Sequence, residues 1–194
     1  MNNVVTTQKC YECGGTMEGR KNDYRYRECG LDSVVLKDIL VFHCTQCNAI
    51  VPEVPMVGIL HRVIALRLLR KDTRLAGSEL RYLRNLCGYS VSDFAKILGS
   101  DKTVISRWET KGPGKGTDRT VRLLVLFNFI KEIIGREKPM LTNITPDQLI
   151  REIEDSLKIL SANSSKDENY EISPEDIARF AETPQETQEL THVQ

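Results

Sequence analysis

Apolar positions along the chain change period twice. Up to residue 56 they fall in short β-like runs. Tyr24-Arg25-Tyr26-Arg27 alternates, and Val34-Val35-Leu36 and Ile39-Leu40-Val41-Phe42 are rich in β-branched and aromatic residues. Pro52 and Pro55 close this part. From residue 57 the spacing becomes helical. Leu60, Val63, Ile64 and Leu68 share one face of a helix over 57–70 that reads as a link between two domains. Leu80, Leu83 and Leu86 mark a helix over 78–87, stopped by Gly88. Ser90-Val-Ser-Asp93 fits a capping box, and the helix it starts ends at Gly99. Asp101 is placed to cap a helix over 102–110. Gly112, Pro113, Gly114 and Gly116 read as a loop, and Asp118 lies near the start of a long helix ending at Gly135. Beyond Pro139 the chain turns polar. Capping boxes at Thr145–Gln148 and Ser173–Asp176 predict helices to about Leu160 and Ala181, with disorder over 161–172.

The expected class is α+β, in four parts. Residues 1–56 form a small β-rich zinc-binding domain, and 57–73 a linker helix. Residues 74–138 form an all-α helix-turn-helix domain, and 139–194 an acidic extension, helical or disordered. No run approaches the ~18 apolar residues of a membrane span. The start lacks a basic and then apolar leader, so a soluble cytoplasmic protein is expected.

Charge sharpens this picture. The 194 residues carry 27 Lys+Arg against 27 Asp+Glu, but the balance is uneven. Residues 61–138 hold 17 basic and 8 acidic groups, net +9, whereas 161–194 hold 2 and 8, net −6. A basic middle suits a polyanionic partner.

Four of the six cysteines form two Cys-x-x-Cys pairs, Cys10/Cys13 and Cys44/Cys47. A two-residue gap lets both thiolates of a pair face one ion, and two pairs complete the tetrahedral sulfur set that zinc prefers. Gly14 and Asn48 follow the pairs, and both tolerate the left-handed backbone of a tight knuckle. Four sulfurs leave no open position for water, so one structural Zn2+ is expected. An iron–sulfur centre and a redox pair are the weaker alternatives. Cys29 and Cys87 read as buried or surface thiols, and His43 as a bystander.

Residues 91–110 fit a helix-turn-helix register. Ala95 sits where the helices approach and Gly99 at the turn. Ile105 and Trp108 face Phe94 and Leu98. Lys102, Thr103, Ser106 and Arg107 are left outward, and all four side chains can meet base edges or phosphates in a major groove. Ser92, Lys111, Lys115 and Arg119 are candidate phosphate contacts. Any two short helices can show this spacing; the +9 charge favours DNA. Arg81 and Arg84 read as solvated helix-face charges. No acid–base pair, Ser/His/Asp set or phosphate-binding loop supports an enzyme, and Gly112–Gly116 lacks P-loop spacing.

The paired cysteines, Tyr26-Arg27-Glu28, Val34-Val35-Leu36-Lys37, His61-Arg62, Arg74-Leu75 and Ser106-Arg107-Trp108-Glu109 together resemble the YgiT/MqsA-type antitoxins, over about residues 8–135. That family has an N-terminal zinc domain and an Xre-like helix-turn-helix. The resemblance implies a homodimer formed through the helix-turn-helix domain, a palindromic double-stranded operator in its own promoter, and capture of a ribonuclease toxin by the zinc domain. Thr103 and Arg107 match the family's base-contacting places. The family has Asn where this chain has Thr103, and Val91 stands where many Xre-like proteins have Gln. The extension has no counterpart there, which leaves a stand-alone regulator or a protein-docking module as the alternative.

Overall fold

The computed structural model describes residues 6–134 and 169–181, and the fold is α+β. Strands β1 (Thr6–Lys9), β2 (Thr16–Arg25), β3 (Val34–Cys44) and β4 (Ile50–Pro52) are followed by five helices. These are α1 (Val57–Arg70), α2 (Gly77–Leu86), α3 (Val91–Ile97), α4 (Lys102–Lys111) and α5 (Lys115–Ile134). Strand β5 (Tyr170–Ile172) and helix α6 (Pro174–Ala181) come last.

Strands β1 to β4 lie side by side in chain order, each antiparallel to the next. The β2–β3 register slips between Asn22 and Tyr24, and Asp38 on β3 adopts φ 52°. One extra β3 residue at that bulge shifts the pleat, so Val34 and Leu36 before it and Ile39 and Val41 after it all join the main core. Phe42 and Cys44 bury themselves on the other face, with Cys10 and Met17, in a second small cluster. Phe42 lies across Gly19, where a Cβ would come within 2.6 Å of its ring, so the pairing needs glycine there.

Among the described residues, the main cluster runs without a break from Tyr26 to Ile177. Helix α1, read from sequence as a linker, lies inside that cluster with Ile59, Leu60, Val63, Ile64, Ala65, Leu66, Leu68 and Leu69 buried. Its C-terminal end has no glycine cap. Arg122 of α5 supplies the donors instead: Nη1 to the carbonyls of Leu68, Leu69 and Lys71 at 3.1, 2.9 and 2.8 Å, and Nη2 to that of Thr73 at 2.5 Å. Asp118 accepts from Arg122 Nε at 3.0 Å and from the Leu75 amide at 2.7 Å, neutralising the buried guanidinium.

Helix boundaries follow their local signals closely. Ser90 Oγ accepts from the Asp93 amide at 3.1 Å and donates to Asp93 Oδ2 at 2.6 Å. At the start of α6 the box is reciprocal: the Asp176 amide donates to Ser173 Oγ at 3.2 Å and the Ser173 amide to Asp176 Oδ2 at 3.0 Å. Two details differ. Asp101 stands at the N-cap of α4 without a side-chain cap bond. The glycine loop is shorter than expected, because α5 already begins at Lys115.

The larger correction concerns residues 170–172. Disorder was expected there, yet they form β5, parallel to Val34–Leu36 of β3 and on the same edge that β4 uses further along. Tyr170 and Ile172 are buried, and Tyr170 Oη donates to Glu79 at 3.0 Å. A short polar stretch becomes a strand because a ready-made edge pairs its backbone. The expected helix over 145–160 and the stretch 161–168 lie outside the described residues. No described helix is long and apolar enough to cross a membrane.

Candidate functional site

Two places hold the residues that the sequence singles out. The first is the far end of the sheet. Cys10 and Cys13 flank the β1–β2 turn, and Cys44 and Cys47 the β3–β4 turn. Antiparallel pairing of Met17 with Cys44 brings both turns to one end. Each turn is wound by its backbone. Gly14 donates to Cys10 O at 2.9 Å, and the amides of Cys10 and Cys44 donate to Gly15 O and Ala49 O at 2.7 and 2.9 Å. Gly14 (φ 74°) and Asn48 (φ 60°) take the left-handed conformation, as the sequence predicts.

The four Sγ atoms lie within 4.8 Å of one another, with Cys10–Cys47 and Cys13–Cys44 each at 3.5 Å. A tetrahedral ion bound at about 2.3 Å to sulfur needs sulfurs about 3.8 Å apart, so the cluster can hold a metal ion with little adjustment. The Gly15 and Gln46 amides point at Cys13 Sγ and Cys44 Sγ, each at 3.4 Å. Such bonds favour thiolate, the form a metal takes. Those from the Gln46 and Cys47 amides hold the Cys44 thiol down at about 6. The Ala49 amide also draws on Cys47, but the adjacent Cys13 sulfur pushes its thiol up to about 12. Thiolates this close repel one another, and a cation among them would relieve the conflict. His43, exposed, is outside the cluster. Cys29 lies half-buried, its Sγ donating to Tyr26 O at 3.0 Å.

The second place is α4. Phe94 and Ala95 of α3 are buried, as is Ile105 of α4, while Trp108 packs half-buried at the edge of the same cluster. Gly99 (φ 58°) turns the chain between the two helices. Lys102, Thr103, Ser106 and Arg107 are all exposed on α4. Ser106 Oγ donates to Lys102 O at 3.0 Å, which uses its proton but leaves its lone pairs free to accept. Of the flanking candidates, Lys111 and Lys115 are exposed, and Ser92 and Arg119 half-buried.

The inner side of α4 holds what sequence reading missed. Glu109 is buried, and both its oxygens are engaged: Oε1 by Arg84 Nε at 2.5 Å and Oε2 by Arg81 Nε at 3.1 Å. Arg84, expected to be solvated, is only 7% exposed and also donates to Tyr89 O at 2.6 Å. Arg81 is ion-paired at the boundary with solvent. The signal was available: Glu109 lies four residues after the inward Ile105, on the same face, and a buried carboxylate needs cations. No family model, curated protein or solved structure matches this chain.

Proposed function

We propose that this chain is a sequence-specific DNA-binding transcriptional regulator, with α3 and α4 as an Xre-like helix-turn-helix and one zinc ion in the four-cysteine cluster. The observation that carries the reading is the sidedness of α4. Ile105 and Glu109 are buried, while Lys102, Thr103, Ser106 and Arg107 are exposed together. Arg107 reads guanine through O6 and N7, and the Thr103 methyl meets a thymine. The net charge of +9 over 61–138 supplies the general attraction to phosphate.

One α4 helix covers one half-site. A dimer would place two in successive major grooves about 34 Å apart and occlude a promoter, in the simplest case its own. A ribonuclease toxin as a further partner rests on the resemblance alone. Selection of duplexes from a randomised library by the full chain tests the reading. A palindromic consensus with a steep salt dependence is expected. Substituting Arg107→Ala should cost about 1–3 kcal/mol of binding and relax one position in each half-site. Recovery of no preferred sequence would refute it.

The choice of zinc rests on the set of four sulfurs, which no fifth His, Cys, Asp or Glu joins among the described residues. Metal analysis should find one equivalent of zinc per chain; an iron chromophore would redirect the assignment.

A further inference from the structure

Four outward side chains can read a groove only if the helix beneath them is held at one angle about its own axis. The contacts between α4 and its neighbours differ in how far they fix that angle. Gly77 at the start of α2 touches the end of α4 so closely that a Cβ there would lie 2.5 Å from Glu109 O. That contact sets separation. Ile105 is buried among apolar side chains, whose attraction has no direction. The directional contact is the fork at Glu109, where two arginine Nε groups from α2 take one carboxylate oxygen each. The fork extends further. Arg84 Nη1 donates to Tyr89 O in the α2–α3 turn, and Tyr89 Oη hydrogen-bonds with Asn128 of α5 at 3.1 Å. Through these bonds α4 is referenced to α2, to the entry of α3 and to α5.

Resting on the DNA-binding reading above, we infer that the Arg84–Glu109 ion pair, with Arg81 as its outer arm, sets the rotation at which α4 presents Lys102, Thr103, Ser106 and Arg107. Glu109, Arg84 and Arg81 are thus positioning residues for sequence selectivity. A helix side chain ends about 6 Å from the axis, so a turn of about 10° moves its tip by about 1 Å. That exceeds the roughly 0.5 Å tolerance of a hydrogen-bonded reading site. Attraction to phosphate is less sensitive, because it depends on charge within a Debye length rather than on angle. Loss of the fork therefore separates selectivity from general affinity.

The test uses the full chain, a duplex selected by the wild type from a randomised library, and a scrambled duplex of the same composition. In Glu109→Gln the ratio of the two affinities should fall about tenfold, with affinity for the scrambled duplex within about twofold of wild type. Replacing the pair by Arg84→Met/Glu109→Leu should return the thermal midpoint towards wild type, as buried ion pairs replaced by packed apolar groups do, yet leave the ratio low. A merely structural pair would restore both together. Arg81→Gln, at the solvent boundary, keeps the protein folded and should lower the ratio about threefold, so it decides the matter if Glu109→Gln does not fold. Ratios unchanged in Arg81→Gln and in the double variant would overturn the inference while leaving DNA binding intact. A wild type that selects no duplex would remove the DNA-binding reading, and this inference with it.

Discussion

His61 shows how one residue can tie charge state to packing. Tyr82 Oη donates to His61 O at 2.9 Å, so its oxygen accepts from His61 Nδ1–H at 3.0 Å. That leaves Nε2 to accept from Tyr26 Oη at 3.2 Å. The network suits a neutral imidazole, and burial holds the His61 pKa below its usual 6.5. The unfolded chain therefore takes up the proton first. The stabilisation is fully present above pH 6.5 and is lost as pH falls through the window below it. Thermal midpoints measured at pH 7.5 and 5.5 should fall less in His61→Gln than in wild type; an equal fall in both would exclude this role. At this scale the sequence was readable wherever a residue's task is local. The left-handed Gly14 and Asn48 follow from the two-residue gap before them. Arg84 and Glu109 were not readable as a pair, because 25 positions separate them and only the folded α2–α4 contact brings them together.

Elements divide along the same line. The α3 and α6 boundaries were legible because Ser90, Gly99 and Ser173 act within one turn. Strand β5 was not, since three residues of alternating burial become a strand only beside β3. Its contribution is nonetheless large. Ile172 is fully buried, and Tyr170 reaches the carboxylate of Glu79, which Lys71 neutralises at 3.0 Å. Truncating Ile172→Ala is expected to destabilise the protein by about 2–5 kcal/mol, read as a lower midpoint in urea. A variant as stable as wild type would mean that β5 is only loosely applied to the sheet.

Across the whole molecule, the two buried clusters set how far damage spreads. Cys10, Met17, Phe42 and Cys44 form their own small cluster, apart from the one that joins the sheet to the helices. Replacing Cys44→Ser removes one of the four sulfurs able to hold a metal ion; metal content should fall and the turn end of the sheet loosen, while α3 and α4 keep their packing. On the DNA-binding proposal, a mobility shift on the selected duplex should persist within about threefold, because the net charge of +9 proposed to attract phosphate lies over 61–138. Disappearance of all binding would show that the clusters are energetically one. The α+β class and the four metal-competent cysteines were visible in the sequence. The course of residues 170–181, back across β3 and α1, was hidden by their polar surroundings.

That return path has a consequence for synthesis. Residues 34–36 of β3 leave the ribosome 136 residues before their partners in β5, the pairs being Val34 with Tyr170 and Leu36 with Ile172. At ordinary elongation rates they wait roughly 7–27 s with half an edge bare. During that interval the nascent chain offers a template for stray strands, so chaperone dependence should track the length of the pause.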